Sequence, residues 1–187
     1  PMFWQNGATN VAGVAANALQ NASGNISVNL ASGVDNQQSN STALSATSNT
    51  YNKQRSVDYA AAKAATNQTS VLNGSVDTNV IDSTTVGGNA GQGASGNIGI
   101  NVASGAQNQQ QNGLAMAAIA SSKALGTASA PVLQNAAFNG SMSMCSDYSA
   151  TVSGNALQNA TGNIGLNIAS GNNNQQSNTL AIASVTK

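Results

Sequence analysis

The stretch 17–45, NALQNASGNISVNLASGVDNQQSNSTALS, returns at Asn89 as NAGQGASGNIGINVASGAQNQQQNGLAMA and at Asn155 as NALQNATGNIGLNIASGNNNQQSNTLAIA, displaced by 72 and then 66 residues. Such self-similarity restricts a chain more than local propensity does, because every copy must solve the same packing problem. Upstream the match continues faintly. Asn73-Gly74-Ser75 and Asn139-Gly140-Ser141 open their copies, and the shared register equates Trp4, Val76 and Met142, then Val14, Val86 and Val152. The chain therefore divides into repeat 1 (1–45), linker 1 (46–72), repeat 2 (73–117), linker 2 (118–138) and repeat 3 with the C-terminus (139–187). The two linkers differ by six residues, which accounts for the change in offset.

Within each repeat the signal is a strand. Ile26, Val28 and Leu30 alternate with polar or small residues, as do Ile98, Ile100 and Val102, and again Ile164, Leu166 and Ile168. Period-two alternation of aliphatic residues suits a pleated surface buried on one face. Ser-Gly pairs end these strands at Gly33, Gly105 and Gly171, where glycine can take the positive φ of a turn. A second alternating stretch follows, with Thr42 and Leu44, Leu114 and Met116, or Leu180 and Ile182. Three or four short strands per repeat are expected. The linkers read differently: 59–65 (YAAAKAA) and 114–125 are alanine-rich and suit a helix by propensity. They carry Lys53, Arg55, Lys63 and Lys123, and are expected to be looser than the repeats, with added strands as the alternative.

A unit of roughly 45 residues with half-apolar strands cannot close a core alone, whereas stacked copies bury their shared faces. The expected fold class is all-β: a cross-β, solenoid-like stack of three repeats, each one layer. Equivalent residues then lie about 4.8 Å apart, and stacked Asn or Gln side chains can bond their own copies above and below. Asn17, Asn89 and Asn155 form one such column; Asn25, Asn97 and Asn163 a second; Asn29, Asn101 and Asn167 a third; Asn40, Asn112 and Asn178 a fourth. Gln37, Gln109 and Gln175, and their neighbours Gln38, Gln110 and Gln176, repeat as pairs. The apolar core columns are Ile26, Ile98 and Ile164; Val28, Ile100 and Leu166; Leu30, Val102 and Ile168; and Trp4, Val76 and Met142. No acid stacks on an acid: Asp35 aligns with Gln107 and Asn173, Asp77 with Gln5 and Ser143, Asp82 with Asn10 and Tyr148, and Asp147 with Thr9 and Ile81. Like charges at that spacing would repel.

Composition removes most other classes. Of 187 residues only ten are charged, while Asn and Gln supply 43. Without histidine there is no Ser-His-Asp or Cys-His pair and no imidazole metal ligand. One cysteine, Cys145, excludes an internal disulfide and a CxxC motif. Five basic residues are too few for a nucleic-acid footprint, and no apolar run approaches a membrane span. No cofactor, metal or catalytic residue is implied. Pro1 in place of an initiator methionine suggests a processed chain, with removal of a signal peptide the natural reading.

The segments SVNLAS (27–32), GINVAS (99–104) and GLNIAS (165–170), each followed by an NQQ-type run, resemble the imperfect repeats of Fap-type functional amyloid fibril subunits. The resemblance covers the three repeats, about two-thirds of the chain. It implies a secreted subunit of extracellular biofilm fibrils whose main partner is itself, with secretion and nucleation proteins as further partners. Two departures stand out. Serine occupies positions 32, 104 and 170, where the family's usual signature has alanine, and the major subunit's C-terminal CxxC is absent.

Periodicity alone leads to a similar expectation. The last repeat is as regular as the others and no polar cap is evident, so copies should add end to end into a filament. The alternative is a monomeric β-solenoid segment of a larger bacterial adhesin; an ice-binding solenoid would require shorter, threonine-laddered repeats. Other features take plainer readings. Gly91, Gly93 and Gly96 spell a formal GxGxxG, which repeat drift explains, since Leu19, Asn21 and Gly24 stand in the same places. The Asn-x-Ser/Thr sequons at Asn21, Asn73 and Asn139 follow from composition. Asp77 and Asp82 read as solvated loop acids and Cys145 as a small buried residue; Phe3 and Trp4 could make a ligand platform, but Trp4 shares a column with Val76 and Met142, which reads as core.

Overall fold

The computed structural model describes residues 1–48, 58–121 and 124–186, so Lys53, Arg55, Lys123 and Lys187 lie outside the described residues. Regular structure there is entirely β. The strands are β1 (Met2–Asn6), β2 (Thr9–Val14), β3 (Ser23–Val34), β4 (Gln37–Ser48), β5 (Asp58–Lys63), β6 (Thr66–Val71), β7 (Gly74–Thr78) and β8 (Ile81–Val86). There follow β9 (Ser95–Ala106), β10 (Gln109–Ala120), β11 (Ala124–Ser129), β12 (Val132–Ala137), β13 (Gly140–Met144), β14 (Asp147–Val152), β15 (Thr161–Ser170) and β16 (Gln175–Thr186).

Each repeat forms one rung of four strands: β1–β4, β7–β10 and β13–β16. The strands of a rung pair with their counterparts in the next rung, giving the sheets β1-β7-β13, β2-β8-β14, β3-β9-β15 and β4-β10-β16. Every pairing is parallel and in register, so that Ile26 lies beside Ile98 and Ile98 beside Ile164. Pairing continues to Ser48, Ala120 and Thr186. The middle rung is enclosed by the other two: Ile98 is 1% exposed, against 9% for Ile26 and 37% for Ile164.

Three kinds of interface hold the sheets face to face. Val14, Val86, Ile98, Ile100 and Val102 share an apolar cluster between the β2 and β3 sheets. The opposite face of the β3 sheet carries asparagines that meet those of the β4 sheet: Asn40 Nδ2 donates to Asn29 Oδ1 at 2.7 Å, Asn112 to Asn101 at 2.8 Å, and Asn178 to Asn167 at 2.7 Å. The remaining face of the β4 sheet is covered by the linkers.

Here the structure corrects the helical reading in favour of the alternative, added strands. The segment 59–65 contributes to β5 and 114–125 to β10 and β11, while β5 pairs with β11 and β6 with β12 in parallel register. Ala60, Ala62, Ala64, Ala115, Ala117 and Ile119 form a cluster, with Tyr59, Ala61 and Lys63 facing solvent. Alanine favours a helix in isolation, but its small side chain lets two sheets approach closely, and that packing outweighs propensity.

Glycine is required where rungs turn in step. Gly33, Gly105 and Gly171 have φ of 99°, 103° and 90°, and a Cβ at Gly33 or Gly105 would fall on the backbone of the glycine in the adjoining rung. β3 and β9 run one residue past these glycines, and the reversal itself uses Asp35, Gln107 and Asn173, with φ of 55°, 62° and 60°.

Candidate functional site

In a stacked structure the surface most open to chemistry is the rung itself, through the side chains it shares with its neighbours. Along the asparagine columns the amide of each rung donates to the preceding one. Asn89 donates to Asn17 at 2.9 Å and Asn155 to Asn89 at 3.2 Å. Asn97 donates to Asn25 at 2.7 Å and Asn163 to Asn97 at 2.8 Å. Asn101 donates to Asn29 and Asn167 to Asn101, both at 3.0 Å. Asn112 donates to Asn40 at 2.9 Å and Asn178 to Asn112 at 3.2 Å. The column of Gln38, Gln110 and Gln176 runs the other way, at 2.8 and 2.9 Å, and each of these amides also bonds a carbonyl of the facing strand: Leu30, Val102 or Ile168.

The neighbouring glutamine column is brought together only in part. Gln175 donates to Gln109 at 3.1 Å, but Gln37 and Gln109 turn their Nε2 groups outward to the carbonyls of Thr69 and Asn135 in the linker strands. Ile26, Ile98 and Ile164, Val28, Ile100 and Leu166, and Leu30, Val102 and Ile168 occupy matching register positions on the apolar side. Trp4, Val76 and Met142 also share a register position, yet Trp4 is 78% and Met142 60% exposed. Equivalence between repeats does not say which face a strand turns inward. On β1 and β7 the inward parity belongs to Gln5, Ser75 and Asp77, so the assignment of Trp4, Val76 and Met142 to the core is corrected.

The same parity overturns the solvated reading of two acids. Asp77 and Asp82 are fully buried in the middle rung. Asp77 Oδ2 accepts from Asn172 Nδ2 at 2.5 Å and from the Tyr148 hydroxyl at 3.5 Å; Asp82 Oδ1 accepts from Asn10 Nδ2 at 2.8 Å. Asp77 Oδ1 and Asp82 Oδ2 are buried without a hydrogen-bond partner. Burial pushes the Asp82 carboxyl above the usual carboxylate range; the bond from Asn10 opposes that shift and the charge of Asp77 adds to it.

Cys145 is exposed, not buried. It lies in the turn after β13, with φ of 54°, in the column of Gly7 (63°) and Asn79 (52°). The formal GxGxxG is a corner: Gly91, Gly93 and Gly96 have φ of 67°, 65° and 112°, and a strand follows, where a dinucleotide site needs a helix.

Besides the column of Gln20, Gln92 and Gln158, whose amides donate from rung 1 to rung 2 and from rung 2 to rung 3 at 3.2 Å, two amide columns escaped sequence reasoning. Asn36, Asn108 and Asn174 each donate back to the serine carbonyl four residues earlier, at Ser32, Ser104 and Ser170, over 2.9 to 3.1 Å. Gln134 donates to Gln68 at 2.9 Å between the linkers. The first lies one residue before the aligned Gln pairs and was legible. The second needed the linkers aligned at the same 66-residue offset. Among the described residues no three His, Cys, Asp or Glu side chains gather as metal ligands, and no helix is long and apolar enough to cross a membrane.

The functional amyloid subunit FapC of Pseudomonas aeruginosa is 46% identical over 92 residues, which span 48% of this chain and 27% of that relative. No solved structure matches the chain. The sequence profile of the functional amyloid protein FapB/FapC family matches residues 3–185, and with nearly the whole repeat array covered, this chain belongs to that family.

Proposed function

We propose that the chain is a non-enzymatic structural subunit of an extracellular amyloid-like filament supporting a biofilm matrix or surface adhesion. Copies add head to tail, rung 3 of one on rung 1 of the next, and the asparagine and glutamine columns continue through each junction as the filament core. Secretion and nucleation proteins are its further partners. The observation that carries this reading is the pair of open ends: β1–β4 each pair on one side only, and so do β13–β16. Unpaired edges of this length invite addition of a matching strand.

The polarity of the columns favours one way of adding. Because amides donate from rung 2 to rung 1 and from rung 3 to rung 2, the nitrogens of Asn17 and Asn25 are left for one end and the oxygens of Asn155 and Asn163 for the other. Head-to-tail stacking sets donor against acceptor; head-to-head stacking sets donor against donor. Fibre diffraction of purified filaments tests the proposal: a meridional reflection near 4.7–4.8 Å is expected, and its absence overturns the reading.

A further inference from the structure

The arc joining the first two strands of each rung turns a pair of polar side chains toward each other. Register places Gln5, Asp77 and Ser143 in one column of the β1-β7-β13 sheet. It places Asn10, Asp82 and Tyr148 in one column of the β2-β8-β14 sheet. In rung 1 the two columns meet: Asn10 Nδ2 donates to Gln5 Oε1 at 2.8 Å. In rung 3 they meet again, where the Tyr148 hydroxyl donates to Ser143 Oγ at 2.7 Å. Rungs in register repeat their geometry, so rung 2 sets Asp77 against Asp82 across the same arc. Two ionised carboxyls have no proton to offer one another, so the bond that closes rungs 1 and 3 cannot close between them.

The surroundings supply no compensating charge. Both acids are fully buried, and the groups that donate to them, Asn10, Asn172 and Tyr148, are neutral. One oxygen of each acid, Asp77 Oδ1 and Asp82 Oδ2, has no partner. The strands packed on β7 and β8 are β1, β2, β9, β13, β14 and β15. The titratable side chains on them are Asp147 and Tyr148, and no Lys or Arg lies on any. Tyr148 faces the pair, whereas Asp147 lies on the opposite, exposed face of β14. Asp35, in the turn after β3, is bonded by Asn73 Nδ2 at 2.6 Å, and Cys145 is exposed in its own turn. Where two buried carboxyls share one site without a cation, ionising both is strongly opposed and one proton is retained.

We propose that Asp77 and Asp82 hold a single proton between them, closing in rung 2 the cross-arc bond that rungs 1 and 3 close with neutral side chains. The proton comes from solvent as the arc folds. The Asp82 carboxylate takes it up, the resulting O–H donates to the Asp77 carboxylate, and the pair passes from two negative charges to one. Burial, the chief influence on the Asp82 carboxyl, acts in this direction, the bond from Asn10 opposes it, and the charge of Asp77 adds to it. The β fold is thereby coupled to acidity. Near pH 6 unfolded aspartates are ionised, so folding takes up about one proton per chain. The folding equilibrium then shifts against the β form about tenfold for each unit of rising pH, until the shared proton is lost. This device belongs to one copy of the chain and holds however copies meet.

Two readouts test it on the chain in its β form, soluble or fibrillar: the infrared spectrum at pH 6, and the pH change on folding in weak buffer. Asp77→Gln combined with Asp82→Asn copies the rung 1 pair into rung 2 and serves as the reference, since it keeps a closed bond without an acid. Wild type is expected to show the carbonyl stretch of one protonated carboxyl that the reference lacks, and to take up about one more proton on folding. Asp77→Asn alone should lose the stretch, because the new amide can donate to the Asp82 carboxylate with no proton shared. A stretch that survives in Asp77→Asn places the proton on Asp82 through burial alone and overturns the shared pair. The difference between wild type and reference decides the matter even where that single variant does not fold. No difference means that both acids are ionised and held by the amides around them, and a difference of two protons means that neither is; each overturns the proposal.

Discussion

Asn101 is fully buried within the amide network: it donates to Asn29, Ser39 and Asn40 and accepts from Asn112 and Asn167. Asn101→Asp exchanges those donors for a buried anion, which costs several times an ordinary hydrogen bond. Assembly near neutral pH should slow at least tenfold by dye-binding or turbidity kinetics, whereas Asn67→Asp on the exposed face of β6 should change it by less than about twofold. Asp82 supplies the opposite case, a native buried acid. Its folded-state carboxyl holds its proton more tightly than the unfolded one, so its contribution to stability is fully present below the unfolded value and is lost as pH rises through the raised one. The guanidinium concentration that dissolves filaments should therefore fall from about pH 3 to pH 7, and Asp82→Asn should raise the neutral value and flatten the profile. That acid was misread from sequence for a physical reason. Alignment of repeats fixes which residues stack, but not which parity of β7 and β8 faces inward, and the polar column of Asn10 and Tyr148 gave no apolar signal to decide it.

At the scale of elements, the alternation of Ile26, Val28 and Leu30 with their counterparts made the long central strands legible, because a two-residue period has few other solutions. The reversals were legible through glycine. Gly105→Ala places a methyl against the Gly171 backbone and Asp82 at a φ of 103°, whereas Gly7→Ala at 63° meets nothing within 4 Å. The first should lower the filament's guanidinium midpoint severely, by the equivalent of more than about 3 kcal/mol, and the second by about 1 kcal/mol. The linker strands were less legible. YAAAKAA carries no period that separates a helix from a strand, and only the floor it packs on, Ala115, Ala117 and Ile119, makes every second alanine an interior residue. The linkers' own pairing, Gln68 beside Gln134, appears only when segments of different composition are aligned.

At the scale of the whole molecule, three rungs in register make the chain a short length of the object it is proposed to build, with an enclosed middle and two complementary ends. The filament then repeats every three layers, about 14.4 Å, and not every layer. Cys145, the single cysteine and exposed in its turn, reports this spacing without mutation. The most direct measurement is the electron paramagnetic resonance spectrum of filaments carrying a nitroxide on Cys145. Labels three layers apart should give a dipolar-broadened three-line spectrum with a nearest separation near 14 Å. A single exchange-narrowed line, which requires labels at about 4.8 Å, would mean that each subunit contributes one layer and would contradict the account.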